Sequence, residues 1–343
     1  MIFPVLRPAI FSTAALLLAS GAGLRAQLPF QFPTANHALY ETGGELKFLA
    51  PTAPDKPWTT GSFGCVRTDG RQMHEGLDIR CLQRNRHGEP TDPVLATADG
   101  TVAYFSTKPS LSNYGKYLVI RHVIDGIEID SLYAHLSEIQ PGLKIGQPVK
   151  AGETIGIMGR TSNTGETITK DRAHVHFELN LFVSDNFAGW YKKAMPNERN
   201  DHGLWNGLNL NGLDPRDILL AEHNPVSRFS LLNFIRSQTE LFRVLVRSTG
   251  FPYLKRYPML VLPNPTAAKE GVAGYEIALN YNGVAFALLP RAASEIKGPA
   301  KFQLLSVNEP EEKAHPCRHL VIQRNGRWQL SNNGQRGLEL LTN

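Results

Sequence analysis

Short β-type runs punctuated by glycine dominate the chain from Gly61 to Leu220. Gly100–Phe105, Tyr117–His122 and Ile127–Tyr133 are rich in β-branched and aromatic residues over strand-like lengths. Asp125-Gly126 separates the last two, and glycine's tolerance of positive φ makes the pair a hairpin turn. The pattern changes after Pro225. Leu231, Leu232, Phe234, Ile235, Leu241, Phe242, Leu245 and Val246 recur three and four apart, which predicts an amphipathic helix ended by Gly250. Strand patterning returns beyond Tyr253, where Tyr275–Leu279 and Val284–Leu288 flank Asn282-Gly283, and His319–Arg324 and Arg327–Leu330 flank Asn325-Gly326. The expectation is an all-β unit of antiparallel sheets, sandwich- or barrel-like, over residues 61–220. A smaller α+β module of helix and hairpins follows over 225–343. Residues 27–60, rich in Pro, Thr and Gly, read as an extended leader that wraps the main unit or covers its groove as a latency segment.

The first 26 residues stand apart. Arg7 precedes an apolar run from Ala9 to Leu24, and Ala26 offers a small residue before Gln27, the layout of a cleaved signal peptide. Ser20, Gly21 and Gly23 break the run, which leaves it too short for a comfortable membrane span. The expected destination is the periplasm or the extracellular space, without stable membrane insertion after cleavage. Loss of Arg7 and Arg25 reduces the formal net charge from +5 to +3. With no basic run interleaved with aromatics, that weak excess excludes nucleic acid as a partner and suits an anionic envelope polymer. Composition is otherwise that of a globular protein, 42% hydrophobic and 20% charged. Export permits disulfides among Cys65, Cys81 and Cys317. Cys65 with Cys81 would close a short loop, three unpaired thiols are the alternative, and spacing alone does not decide. Those spacings exclude a cysteine-rich zinc site.

Candidate chemistry lies in three histidine clusters. In Ala173-His174-Val175-His176-Phe177-Glu178-Leu179, strand alternation sends His174 and His176 to one face and Val175, Phe177 and Leu179 to the core. Two imidazoles facing a common space suit one metal ligand and one neighbour acting beside it. In His74-Glu75-Gly76-Leu77-Asp78, Gly76 and Ile79 argue against a helix, so the element is a loop running into a strand with Asp78 at its start. Leu132-Tyr133-Ala134-His135 places a third imidazole at a strand end. His122 reads as structural and His87 as a solvated loop residue. His202, His223, His315 and His319 lack partners at ligand spacing. Glu75 stays outside the site, because the second histidine of a helical His-Glu zinc motif is missing.

Together these clusters resemble the lysostaphin-type (LytM-like) zinc metallopeptidases, which cleave peptidoglycan peptides. The likeness runs from about Gly61 to Leu220 and includes Thr97–Val102 and Gly146–Gly156. It implies zinc as cofactor, with His74, Asp78 and His176 as ligands and His135 and His174 as the catalytic pair. It also implies a fourth zinc position for water, whose pKa falls from about 15.7 toward 7 on coordination. The implied function is a secreted zinc endopeptidase acting on peptidoglycan, expected as a monomer. The rival expectation is an inactive relative that binds the wall or activates another hydrolase. Gly142–Gly152 also has the texture of biotinyl/lipoyl hammerhead domains, but the exposed carrier lysine is missing beside Met158. Ser162–Arg172 is longer and more polar than the usual turn before His-x-His, and the resemblance does not extend to residues 225–343.

Overall fold

The computed structural model describes residues 29–163, 168–223 and 228–343. The expected signal peptide lies outside them. Among the described residues no helix is long and apolar enough to cross a membrane.

The framework is an antiparallel sheet. Leu210–Leu213, His174–Phe182, Ile127–Ala134, Tyr117–Ile124, Gly100–Ser106 and Pro148–Val149 lie side by side in it, and Leu77–Arg80 is added against His174–Phe177. Hairpin chemistry fixes much of this order. Asp125 and Gly126 both take positive φ, 52° and 76°, the requirement of a two-residue turn that matches strand twist. The strand His174–Phe182 is buried along its whole length, with Val175, Phe177 and Leu179 fully in the core. A three-stranded sheet of Pro93–Leu95, Thr154–Ile157 and Glu138–Ile139 adds Val94, Ile139 and Ile155 to that core.

Helices are few and short, and the predicted helix over 231–246 is corrected. Only Leu231–Arg236 is helical, started by the Ser230 side chain accepting from the Asn233 amide. Phe242–Val246 is instead an inner strand, paired on one side with Gly274–Leu279 and on the other with Phe302–Val307. Two short apolar runs, each fully paired by its own neighbours, produced a joint spacing of three and four that belongs to neither. Ala285–Arg291 completes this second sheet, and Val321–Arg324 with Arg327–Leu330 forms the Asn325-Gly326 hairpin. The Asn282-Gly283 turn is longer than two residues. There the Asn280 side chain accepts from the amides of Asn282 and Val284.

The leader is no detachable cover. Phe30, Phe32, Leu39, Phe48 and Leu49 are buried in the main core, where Phe32 packs edge-on against Phe48. Backbone bonds from Gln31 to Thr97, from Leu95 to Pro33 and from Ala50 to Asp78 tie it to the sheets. Burial of each aromatic side chain contributes roughly 1.5–3 kcal/mol, which argues against easy release. The C-terminal module is equally committed. The Phe182 amide donates to the Tyr257 hydroxyl, and Asn282 Nδ2 donates to the Gly212 carbonyl, both at 2.8 Å. Cys65 is bonded to Cys317, 252 residues away, and Cys81 is a free thiol, so the short Cys65–Cys81 loop is not formed.

Candidate metal centre and its groove

His74 ends the strand Gln72–His74, and Asp78 is the second residue of Leu77–Arg80. The chain bends between them at Gly76, where a Cβ would lie 2.3 Å from the Phe177 carbonyl oxygen, so only glycine lets the bend press against the histidine strand. Register places Asp78 opposite His176 on one side and Ala134 opposite it on the other. His135 follows Ala134 in a left-handed conformation, φ 62°, and this turns it off the strand toward His174.

The resulting donor set is compact. His74 Nε2 lies 3.1 Å from both Asp78 Oδ1 and His176 Nδ1, and His176 Nδ1 lies 3.0 Å from Asp78 Oδ1. The far nitrogens settle the tautomers. His74 Nδ1 donates to the Ser62 carbonyl at 2.7 Å, and His176 Nε2 donates to Glu178 Oε1 at 2.8 Å. Both partners are pure acceptors, so two nitrogen lone pairs and a carboxylate oxygen face one another. Such a triangle repels unless a cation lies within it. Zinc bonds of about 2.0–2.1 Å, arranged tetrahedrally, separate neighbouring donors by roughly 3.3 Å, so these residues fit a zinc ion. The same demand shows in proton affinity. Burial disfavours charge on His176, yet its hydrogen bonds to Asp78 and Glu178 push it up to about 10. Burial also pushes Asp78 up, but His174, His74 and Arg67 outweigh it and hold the carboxyl well below the usual range.

His135 and His174 stand beside this triangle, their rings 4.9 Å apart. His135 Nδ1 donates to the Thr161 carbonyl at 2.8 Å and His174 Nδ1 to the Arg172 carbonyl at 2.7 Å. Each therefore keeps Nε2 as an acceptor, that of His174 lying 3.4 Å from Asp78 Oδ1. Burial lowers both imidazoles, and the neighbouring His174 and His176 press His135 down further. All five residues singled out in the sequence line or floor one groove of about 650 Å³.

Other participants escaped the sequence reading. Glu178, which orients His176, accepts from the Tyr114 hydroxyl and from Asn180 Nδ2, each at 2.8 Å. Arg67 donates to Asp78 Oδ2 at 2.5 Å. The alternation that paired His174 with His176 continues to Glu178 and Asn180, so these two were visible on the same face; Arg67 and Tyr114 left no such signal. His202, Glu75 and Arg318 also line the groove, whereas His122 is bound to Ser131 and the Asp99 carbonyl. Carboxylates that orient a ligating imidazole raise its basicity. Glu178→Gln is therefore expected to weaken zinc binding about 10–100-fold, measured by competition with a chelating dye. Unchanged affinity would show that Glu178 only fills space.

The chain is similar in part to several known proteins. The model of peptidase family M23 matches residues 72–186. Cell division protein DipM of Caulobacter vibrioides is 32% identical over 136 residues, 40% of this chain and 18% of that protein. A metalloprotease of Haemophilus influenzae is 34% identical over 109 residues, 32% of this chain and 18% of that protein. The chain thus spans under a fifth of the length of either relative. The catalytic domain of the antimicrobial peptidase lysostaphin from Staphylococcus simulans shares 25% identity, covering 35% of this chain and 74% of that one, with a TM-score of 0.25. The matched segment holds His74, Asp78, His135, His174 and His176 together: it is residues 72–186 that match the model of peptidase family M23.

Proposed function

We propose that this chain is an exported zinc metalloendopeptidase that hydrolyses peptide cross-links of bacterial peptidoglycan. The observation that carries the reading is the two-imidazole, one-carboxylate donor set at the floor of an open groove, flanked by two neutral imidazoles. His74, Asp78 and His176 would hold the ion. Bound there, zinc supplies Lewis acidity that polarises the scissile carbonyl and makes water acidic near neutral pH. The chain's own part is proton handling and orientation. Nε2 of the His135–His174 pair accepts the proton of the attacking water and returns it to the leaving amine. The carbonyls of Thr161 and Arg172 fix both rings in the tautomer this requires. Once protonated, an imidazole also donates to the oxyanion formed at the carbonyl carbon. The Cys65–Cys317 bond supports an oxidising compartment, in keeping with export.

The test is zinc content measured alongside release of peptides from purified peptidoglycan. The zinc-loaded protein is expected to release cross-link peptides. His135→Ala and His174→Ala should keep their zinc and lose about 10²–10⁴ in turnover. Loss of zinc from both variants would overturn the division of roles. Zinc-loaded protein inert on several wall types would overturn the peptidase reading.

A further inference from the structure

We propose that Arg318 and Arg172 form a carboxylate-binding pair in the groove, which makes this site selective for peptides with free carboxylates beside the scissile bond. The inference rests on the peptidase reading and names its substrate chemistry. The groove is lined by three arginines, Arg67, Arg172 and Arg318, against two acids, Glu75 and Asp78. Arg67 and Asp78 are spent on each other, 2.5 Å apart. That leaves two guanidinium groups facing one glutamate, and a bound zinc ion would add to the positive field. Walls of one charge sign raise the local concentration of oppositely charged ligands.

Each arginine is anchored at its base and open at its tip. Arg318 Nε donates to Asn282 Oδ1 at 2.7 Å, and Asn282 is itself buried and fixed on the Gly212 carbonyl. Its Nη1 forms a loose ion pair with Glu75 Oε1 at 3.6 Å, beyond hydrogen-bond distance, which a substrate carboxylate would compete with. The backbone beneath it is pinned by the disulfide at Cys317, and its carbonyl accepts from Asn333 Nδ2 at 3.1 Å. Arg172 Nε donates to the Pro51 carbonyl at 3.3 Å, and its guanidinium has no ion-pair partner among the described residues. The Arg172 carbonyl also fixes His174, which ties its position to the reacting centre. An arginine held at Nε whose terminal nitrogens make no hydrogen bond offers the planar fork that takes a carboxylate by two bonds. Arg318 reaches the groove from the C-terminal module, which gives that module a direct part in substrate choice.

The test uses two cross-linked muropeptides that differ only in having free carboxyl groups or carboxamides. Binding to the zinc-loaded full chain is read by calorimetry, and cleavage by steady-state kinetics. The free-carboxyl peptide is expected to bind at least about tenfold tighter. Arg318→Gln and Arg172→Gln should erase that preference and raise KM for the free-carboxyl peptide, with zinc content unchanged and kcat within about threefold. Arg318→Lys should restore part of it, because the charge returns without the fork. Equal binding of the two peptides to the wild type would overturn the proposal, as would variants that weaken both peptides equally. Cleavage without discrimination sinks this inference and spares the peptidase reading; carboxylate-dependent binding without cleavage does the reverse.

Discussion

His176→Ala is expected to lose its zinc and, with it, all peptide release. His176 Nδ1 is one corner of the donor triangle, 3.0 Å from Asp78 Oδ1 and 3.1 Å from His74 Nε2. Two donors remain after the substitution, too few for a closed three-ligand site. The damage extends below the metal. Glu178 is buried, at 1% exposure, and His176 is its ion-pair partner, whereas Asp78 keeps Arg67. An uncompensated buried charge costs about 3–5 kcal/mol, so the variant should also melt earlier than zinc-free wild type. Elemental analysis and thermal melting read the two effects separately. Full zinc occupancy with reduced turnover would place the third ligand elsewhere, and His174, 3.4 Å from Asp78 Oδ1, would take the role.

The second large effect concerns Cys65 and Cys317. Their bond closes a loop of 252 residues, for which chain entropy gives a stabilisation of about 5 kcal/mol. The paired substitution Cys65→Ser with Cys317→Ser should lower the denaturation midpoint by a corresponding amount. Wild type reduced with a phosphine, which competes less for zinc than a dithiol, should match it. Cys81 is a poor rival for exchange: it is half-buried, and burial raises its thiol above the usual value. An unchanged midpoint in the paired variant would show that packing between the modules already holds them together.

What was legible in the sequence follows from how local each signal is. Alternation in His174–Leu179 placed two imidazoles on one face without any knowledge of the partner strands. Asp125-Gly126 and Asn325-Gly326 named their hairpins because positive φ at two adjacent residues is a local requirement. The convergence of His74, Asp78 and His135 on that face came from family resemblance, since residues up to 102 positions apart meet only through sheet register. Three features left no local trace. Disulfide choice depended on where Cys317 lands after the second sheet forms. The fate of 231–246 depended on neighbours for Phe242–Val246 on both sides. The leader's aromatics could be placed only by the core that receives them.

The family segment supplies the donor triangle and both flanking imidazoles, but much of the groove wall comes from outside it. Thr52, Arg67, Thr68, His202, Asn206, Gly207, Leu208 and Arg318 all lie beyond residues 72–186. Part of the wall that faces a substrate is therefore built by stretches outside the one that holds the donor triangle, while Arg172 comes from within it. Drift in the flanking sequence can re-dress the walls while every reacting atom stays in place. A graft of foreign flanking walls onto the same floor is therefore the natural route to a groove for a different polymer.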